Sequence, residues 1–353
     1  MLRKIIASGI AMSTLKATLA QDSTSSPALS INGSADIYYK YDFAKQKSNN
    51  LTSFTNSHNS FELGMASLKL DYKTSKVEMV ADLGFGKRAQ EFSYNDQGIL
   101  AAVKQLYISY SPATWVKFTA GSWATHVGYE LVDAYANRNY SMSYMFTNGP
   151  FFHTGVKADL SFHAHGFMIG VANPTDFKYV PDGVINKKFL IAQYSYTGSD
   201  YLKAYLNYVG GENIDSSKSK QVDLVLTSKL GPKFSLGYDG TVSNVKKYLG
   251  NKNYDDNKSW WGSALYVNFD PSAHIGLTLR EEYFSDKNGL KIAGLATDGG
   301  IISSTLSANF KVDNFIFIPE FRIDHSNHNI FSKQDGTPTD KAANILFAAV
   351  YQF

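Results

Sequence analysis

The sequence contains no cysteine. That absence removes both a disulfide framework and a thiolate metal site. Proline is scarce, 9 in 353 residues, and nearly all of it falls outside the alternating segments described below, which suits a long continuous sheet. No stretch approaches the roughly 18 consecutive apolar residues that a membrane helix requires. Neither sign of charge prevails: there are 34 Lys+Arg and 31 Asp+Glu. Arg3, Lys4 and Lys16 lie in an N-terminal segment that reads as removable, and without them the two signs balance at 31 each. A neutral chain argues against a nucleic-acid partner.

What is present is aromatic. Tyr and Phe number 23 each, and aromatics make up 14% of the chain, yet mean hydropathy is only -0.23. Many aromatics on a chain that is not apolar overall fit a protein with one face in lipid and the other in water. Met1 to Ala20 reads as a secretory signal peptide. Arg3 and Lys4 form its basic start, Ile5 to Leu15 is a short, mostly apolar stretch, and Thr18-Leu19-Ala20 offers small residues for cleavage before Gln21. The Ser-rich segment 21–29 reads as a disordered lead-in, and 30–353 as a single domain with no linker.

From Ser30 onward the chain repeats one pattern, period-two alternation in segments of about ten residues, as transmembrane strands require. In the first segment Leu29, Ile31, Ala35, Ile37, Tyr39, Tyr41 and Phe43 share one face, and Asn32, Ser34, Asp36, Lys40 and Asp42 the other. Sixteen such segments are read: 30–43, 59–73, 76–86, 102–111, 114–123, 151–161, 164–173, 187–198, 201–211, 219–229, 233–244, 259–269, 273–285, 299–311, 314–325 and 343–353. The connections alternate short and long. Turns such as Thr74-Ser75 and Val312-Asp313 alternate with polar loops at 44–58, 87–101, 124–150, 174–186, 212–218, 245–258, 286–298 and 326–342. Short periplasmic turns, long external loops and an even strand count predict an all-β, 16-stranded antiparallel transmembrane barrel with both termini on the periplasmic side. The apolar phase slips within 59–73, which predicts a bulge near Ala66-Ser67. Glu281 falls on the lipid-facing register, near the outer interface, where an acid costs roughly 0–1 kcal/mol.

Eight strands fill their interior with side chains, whereas sixteen leave an aqueous channel. The longest connection, 124–150, is the third external loop and is expected to fold inward. On it His126, Glu130, Asp133 and Arg138 are the candidate constriction residues, where local fields would set size and charge selectivity. Inward strand positions add Lys117, Lys203, Arg280, Glu282, Glu320, Arg322 and Asp324 as lumen-lining candidates. The chain ends Tyr351-Gln352-Phe353. A terminal Phe with an aromatic two before it resembles the C-terminal signal read by the barrel assembly machinery.

The segments Gly121-Ser122-Trp123, Gly128-Tyr129-Glu130, Asn139-Tyr140-Ser141-Met142-Ser143 and Pro150-Phe151-Phe152-His153-Thr154-Gly155-Val156 are similar to those of the β-barrel porin-2 (OmpL-like) family. The resemblance covers about residues 30–353. It implies a porin-like channel in the outer membrane of a Gram-negative bacterium, and it transfers no catalytic residue.

The expected activity is passive diffusion of small hydrophilic solutes through a water-filled pore, without cofactor or metal. The partners expected are outer-membrane lipid, the assembly machinery, the solutes and further copies of the chain as a homo-oligomer. Three other readings compete. A substrate-specific channel could use Trp123 and the tyrosines of 129–144 as an aromatic track for sugars, or could take peptides. A barrel enzyme needs a His beside a Ser or an acid, and none of the eight His comes with a G-x-S-x-G pattern. His163-Ala164-His165 could chelate a metal but sits at a short turn with no evident third ligand, and Asp324-His325 with His328 has better chemistry but lies at a loop entrance; both read as polar turn or rim residues. A surface-binding barrel would use the Asn-, Ser-, Lys- and Asp-rich loops around 48–60 and 248–258.

Overall fold

The computed structural model describes residues 27–353. The signal peptide expected at 1–20, and 21–26 of the lead-in, lie outside the described residues. Sixteen strands form the barrel, numbered here in chain order. β1 is Ala28–Asp42, β2 Ser60–Lys73, β3 Val77–Phe85 and β4 Val103–Ala113. β5 is Val116–Ala124, β6 Phe152–Phe162, β7 His165–Ala172 and β8 Phe189–Ser199. β9 is Leu202–Glu212, β10 Lys218–Lys229, β11 Phe234–Lys246 and β12 Lys258–Ser272. β13 is Ile275–Ser285, β14 Gly300–Val312, β15 Phe315–Ser326 and β16 Lys341–Gln352. Each pairs antiparallel with its sequence neighbours, and β1 pairs with β16 from Ser34↔Gln352 to Asp42↔Asn344, so the sheet closes. Closure leaves no strand edge facing lipid, where each unpaired N–H would cost several kcal/mol. The C-terminal residue takes part: the Phe353 N–H donates to the Gly33 carbonyl at 2.9 Å, and the Gly33 N–H donates back at 3.1 Å.

Two details differ from the sequence reading. β1 begins at Ala28, inside the expected lead-in, because Ala28 and Leu29 find partners in Lys73 and Tyr72. The bulge in β2 sits at Gly64-Met65, just before Ala66. Ala35 pairs with Ala66 and Ile37 with Leu63, so two residues of β2 face Asp36 alone.

The alternation sorts side chains as expected. Outward positions carry the apolar residues, ringed at both ends by aromatics. The periplasmic ring includes Tyr110, Trp115, Phe162, Phe167, Phe234, Phe315 and Tyr351, and the outer ring Phe43, Phe61, Trp261 and Tyr283, all exposed. Glu281 also points outward and accepts a hydrogen bond from the Ser304 hydroxyl at 2.6 Å, a partner that softens its placement on this face. Inward positions are polar: Asp36, Asp223, Asp239, Arg280, Glu282, Ser303, Thr305, Ser307, Glu320, Arg322 and Asp324 are all buried.

Candidate functional site

The inward acids explain where the third external loop goes. A carboxylate in a barrel wall needs donors, and loop backbone supplies them. Leaving β5, residues 125–151 turn into the lumen. Asp223 on β10 accepts the Gly128 N–H at 3.0 Å, and Asp239 on β11 accepts the Tyr129 N–H at 3.0 Å. The Tyr129 ring stacks on Tyr266 of β12, centroids 4.1 Å apart. Further along, Glu320 on β15 accepts Tyr140 N–H at 2.7 Å and Ser141 N–H at 3.1 Å. Glu282 on β13 accepts Tyr144 N–H and Met145 N–H, both at 2.9 Å. Those two amides open a short helix, α1 (Tyr144–Asn148), whose N-cap Ser143 hydroxyl accepts the Phe146 N–H.

Arginines clamp the same loop through its carbonyls. Arg322 donates to Met142 O at 2.8 Å and forks onto both Asp324 oxygens at 3.0 Å. Arg280 donates to Ser141 O at 2.8 Å, to Thr305, and to Glu130 of the loop itself. On the opposite wall Lys104 of β4 holds Asp133 and lies 3.2 Å from Asp82. The loop thus touches β4, β9 to β15 and β1, where the Tyr140 hydroxyl donates to Asp36. It lies across the lumen. Hydrogen bonds to charged groups each contribute about 1.5–3 kcal/mol when buried, so several acting together hold the loop firmly.

The first two external loops also enter. Residues 87–92, a short helical turn, carry Arg88, which is fully buried. It donates to Val132 O at 3.1 Å and Tyr140 O at 3.3 Å, and its guanidinium sits over the Phe54 and Tyr140 rings. Phe54, Phe92, Val132, Met142, Phe146, Phe151 and Phe152 form one apolar cluster. It joins loops one, two and three.

The sequence-derived candidates take definite places. His126 is half-buried, with Nε2 3.2 Å from the Tyr208 carbonyl. Burial pushes its imidazole down to about 4, so at neutral pH it carries no charge. Glu130 is buried on Arg280, Asp133 is held by Lys104, and Arg138 grips Asp270 with both terminal nitrogens and Thr278 with Nε. All four sit on the inward loop, and the three that are charged are each paired to the wall. Among the lumen-lining candidates, Arg280, Glu282, Glu320, Arg322 and Asp324 face inward but lie sealed beneath the loop, each less than 5% exposed. Lys117 and Lys203 remain half-open. Lys117 lies 3.9 Å from Glu78, and Lys203 3.2 Å from Asp200. Trp123, Tyr140 and Tyr144 are buried and pack loop on wall.

Sequence reasoning missed Arg88, Lys104, Asp223 and Asp239. The two aspartates were findable, since each stands at an inward position of an alternating strand. Arg88 gave no signal, being one basic residue in a polar loop. Also missed was a half-exposed group of inward charges on β2 to β6: Lys69, Asp71, Glu78, Lys157 and Asp159. With Lys117 and Lys203 they form the part of the lumen that stays open to water.

This architecture defines a porin, a transmembrane barrel of the bacterial outer membrane with a pore narrowed from within. The chain belongs to the family described as putative beta-barrel porin-2, OmpL-like, whose model matches residues 28–353. No curated protein matches the chain in sequence. Solved structures similar in fold include an anion-selective porin from Comamonas acidovorans, with 10% identity, TM-score 0.63, and coverage of 93% of this chain and 100% of that one. The outer-membrane channel DcaP of Acinetobacter baumannii is similar at 10% identity and TM-score 0.60, covering 95% and 100%. OmpT of Vibrio cholerae, in a trimer form, is similar at 11% identity and TM-score 0.58, covering 93% and 100%.

Proposed function

We propose that this outer-membrane porin passes small hydrophilic solutes through a narrow path left between the inward loops and the β2–β9 arc of the wall, and that it is not an enzyme. The observation that carries this is the loop 124–150, held across the lumen by Asp223, Asp239, Glu282 and Glu320 through backbone amides. In this reading His126, Glu130, Asp133 and Arg138 fix the constriction's shape. Selectivity falls to the half-open charges, Lys117 and Lys203 among them. Of the residues a sugar track would use, Trp123, Tyr140 and Tyr144 are buried, and Tyr129 and Tyr135 are partly exposed.

The residues before Gln21 act as a cleaved export signal, and Tyr351 and Phe353, both exposed on the outer face, present the assembly signal. The OmpT form described as a trimer supports a homo-oligomer here. The test is conductance of the mature protein, refolded and inserted in a planar bilayer under a salt gradient. Discrete steps are expected, smaller than those of an unobstructed sixteen-strand barrel. A folded barrel that conducts no ions overturns the reading.

A further inference from the structure

Sixteen strands present their outward face to lipid, and at the outer rim the strands give way to long polar loops. On β9 to β11 the outward face itself changes first. The outward positions of β10, read upward, are Leu226, Leu224, Val222, Lys220 and Lys218. Val222 is level with Tyr208 of β9 and Val242 of β11, and Val242 with Trp261 of β12. That row is the top of the apolar belt. One pair higher, Lys220 faces Gly210 and Asn244, and one pair higher again Lys218 faces Glu212 and Lys246. A strand rises about 3.3 Å per residue and these strands tilt about 35–45°. The lysine rows therefore stand about 5 and 10 Å above the Tyr208–Trp261 row, at the depth of lipid headgroups.

The same residues enclose a groove of ≈ 730 Å³, lined by Tyr208, Gly210, Glu212, Lys218, Lys220, Asn244, Lys246 and Asn257 among others. Its depth has a cause. Gly210 has no side chain, and the Tyr208 ring folds over it, so that a Cβ there would lie 2.4 Å from the tyrosine hydroxyl. The hydroxyl is thereby carried up into the groove. The charge is lopsided. Glu212, the acid of the groove, is taken by Lys187 at 3.3 Å. Among the described residues no acidic partner is recorded for Lys218, Lys220 or Lys246, and the ammonium group of Lys218 rests over the Tyr254 ring at 4.5 Å. Three cations, amide groups from two asparagines and a tyrosine hydroxyl converge on a hollow that opens toward the bilayer.

We propose that this groove binds the phosphate-bearing headgroup of an anionic glycolipid in the outer leaflet. Basic pockets at headgroup depth attract anionic lipid. Here three lysines surround one hollow that borders the apolar belt, with Tyr208 in its lining and Val222 paired beside Tyr208. A solute in transit never reaches this site, since the barrel wall stands between. The inference therefore does not depend on what the pore conducts.

The test uses the full mature barrel in neutral detergent micelles, titrated with diphosphoryl lipid A and followed by native mass spectrometry. Saturable binding is expected, at least tenfold weaker for the same lipid with both phosphates removed and at least tenfold weaker in the K218Q/K220Q/K246Q variant. A variant that removes equal charge from another part of the rim, K45Q/K47Q/K333Q, should bind as the parent does. Conductance of both variants should be unchanged, which shows that they fold. Equal binding by the K218Q/K220Q/K246Q variant, or by the dephosphorylated lipid, overturns the proposal. Competition by millimolar inorganic phosphate also overturns it, because the groove would then be a site for free anions.

Discussion

The inner wall has two arcs built from the same kind of residue. From β10 around to β1, the inward Asp, Glu, Arg, Ser and Thr that the loop covers lie nearly free of solvent: Asp223, Arg280, Ser303, Thr305 and Glu320 are all at or below 2%. Across the lumen, on β2 to β9, Asp82 and Lys104 are as dry where Lys104 holds Asp133 of the loop, but the inward Lys69, Glu78, Lys117, Lys157, Asp159 and Lys203 stay partly exposed. Strand geometry does not separate them, since both arcs alternate alike. The loop separates them. Where it lies on the wall, charges become its anchors. Where it does not, they stay partly exposed and pair with neighbours on the wall or turn, Lys117 with Glu78 and Lys157 with Asp159.

The largest expected effect comes from breaking the anchored arc. Arg280→Ala removes the partner of Glu130 and the donor to Ser141 O, and leaves two acids buried near an empty space. Removing one partner of a buried ion pair costs about 3–5 kcal/mol, here charged mainly to loop docking because the strand ladders are untouched. Single-channel conductance should rise several-fold and become noisier. Unchanged conductance in a folded R280A barrel would mean that the loop does not limit flow. A gentler version is Glu282→Gln with Glu320→Gln. Size is kept, but each Gln has one acceptor oxygen for two amides, so at each site one amide contact loses its charge assistance and the other loses its acceptor, at about 1–3 kcal/mol for each site. A smaller rise, with frequent brief openings, is expected.

How much of this was legible in the sequence follows from the same comparison. Period two is enforced by backbone geometry, so strand count, facing and the long–short rhythm of loops could be read directly, down to Glu281 on the outer face. The length of 124–150 pointed to an inward loop. The sequence could show that Glu320 and Lys117 both face inward. It could not show that one would be dry and the other wet, because that depends on contacts such as Glu320 with Tyr140, 180 residues apart. The bulge was placed a residue or two late because Gly64 and Met65 both look compatible with continued alternation.

The open arc should control selectivity without controlling flow. Lys117→Glu together with Lys157→Glu exchanges two half-exposed cations for anions near Glu78 and Asp159. The reversal potential in a salt gradient should move toward cation preference, while conductance changes less than twofold. Removing a single charge from the sealed arc, Asp324→Asn, should leave the reversal potential where it is. If both variants move it equally, water reaches both arcs and the contrast between them fails.

The finest effect is expected outside the wall, where the fourth external loop meets the third. Asp176 follows β7, and its Oδ1 accepts the Phe151 and Phe152 amides at 2.7 and 3.0 Å, while its Oδ2 accepts the Tyr94 hydroxyl at 2.9 Å. Burial outweighs those donors and pushes the carboxyl from 3.8 up to about 6. A raised carboxyl contributes its stabilisation in full below the unfolded value, and loses it as pH climbs through the folded one. Docking of this loop should therefore weaken between about pH 4 and 6. Hydrogen exchange at Phe151 and Phe152, corrected for the intrinsic pH dependence, should quicken across that window, by at most about a hundredfold given about tenfold per pK unit. Asp176→Asn imitates the neutral form: its carbonyl accepts the two amides and its Nδ2 donates to Tyr94. The variant should exchange slowly at every pH with conductance unaltered, whereas a wild-type-like pH dependence in D176N would assign the effect to some other group.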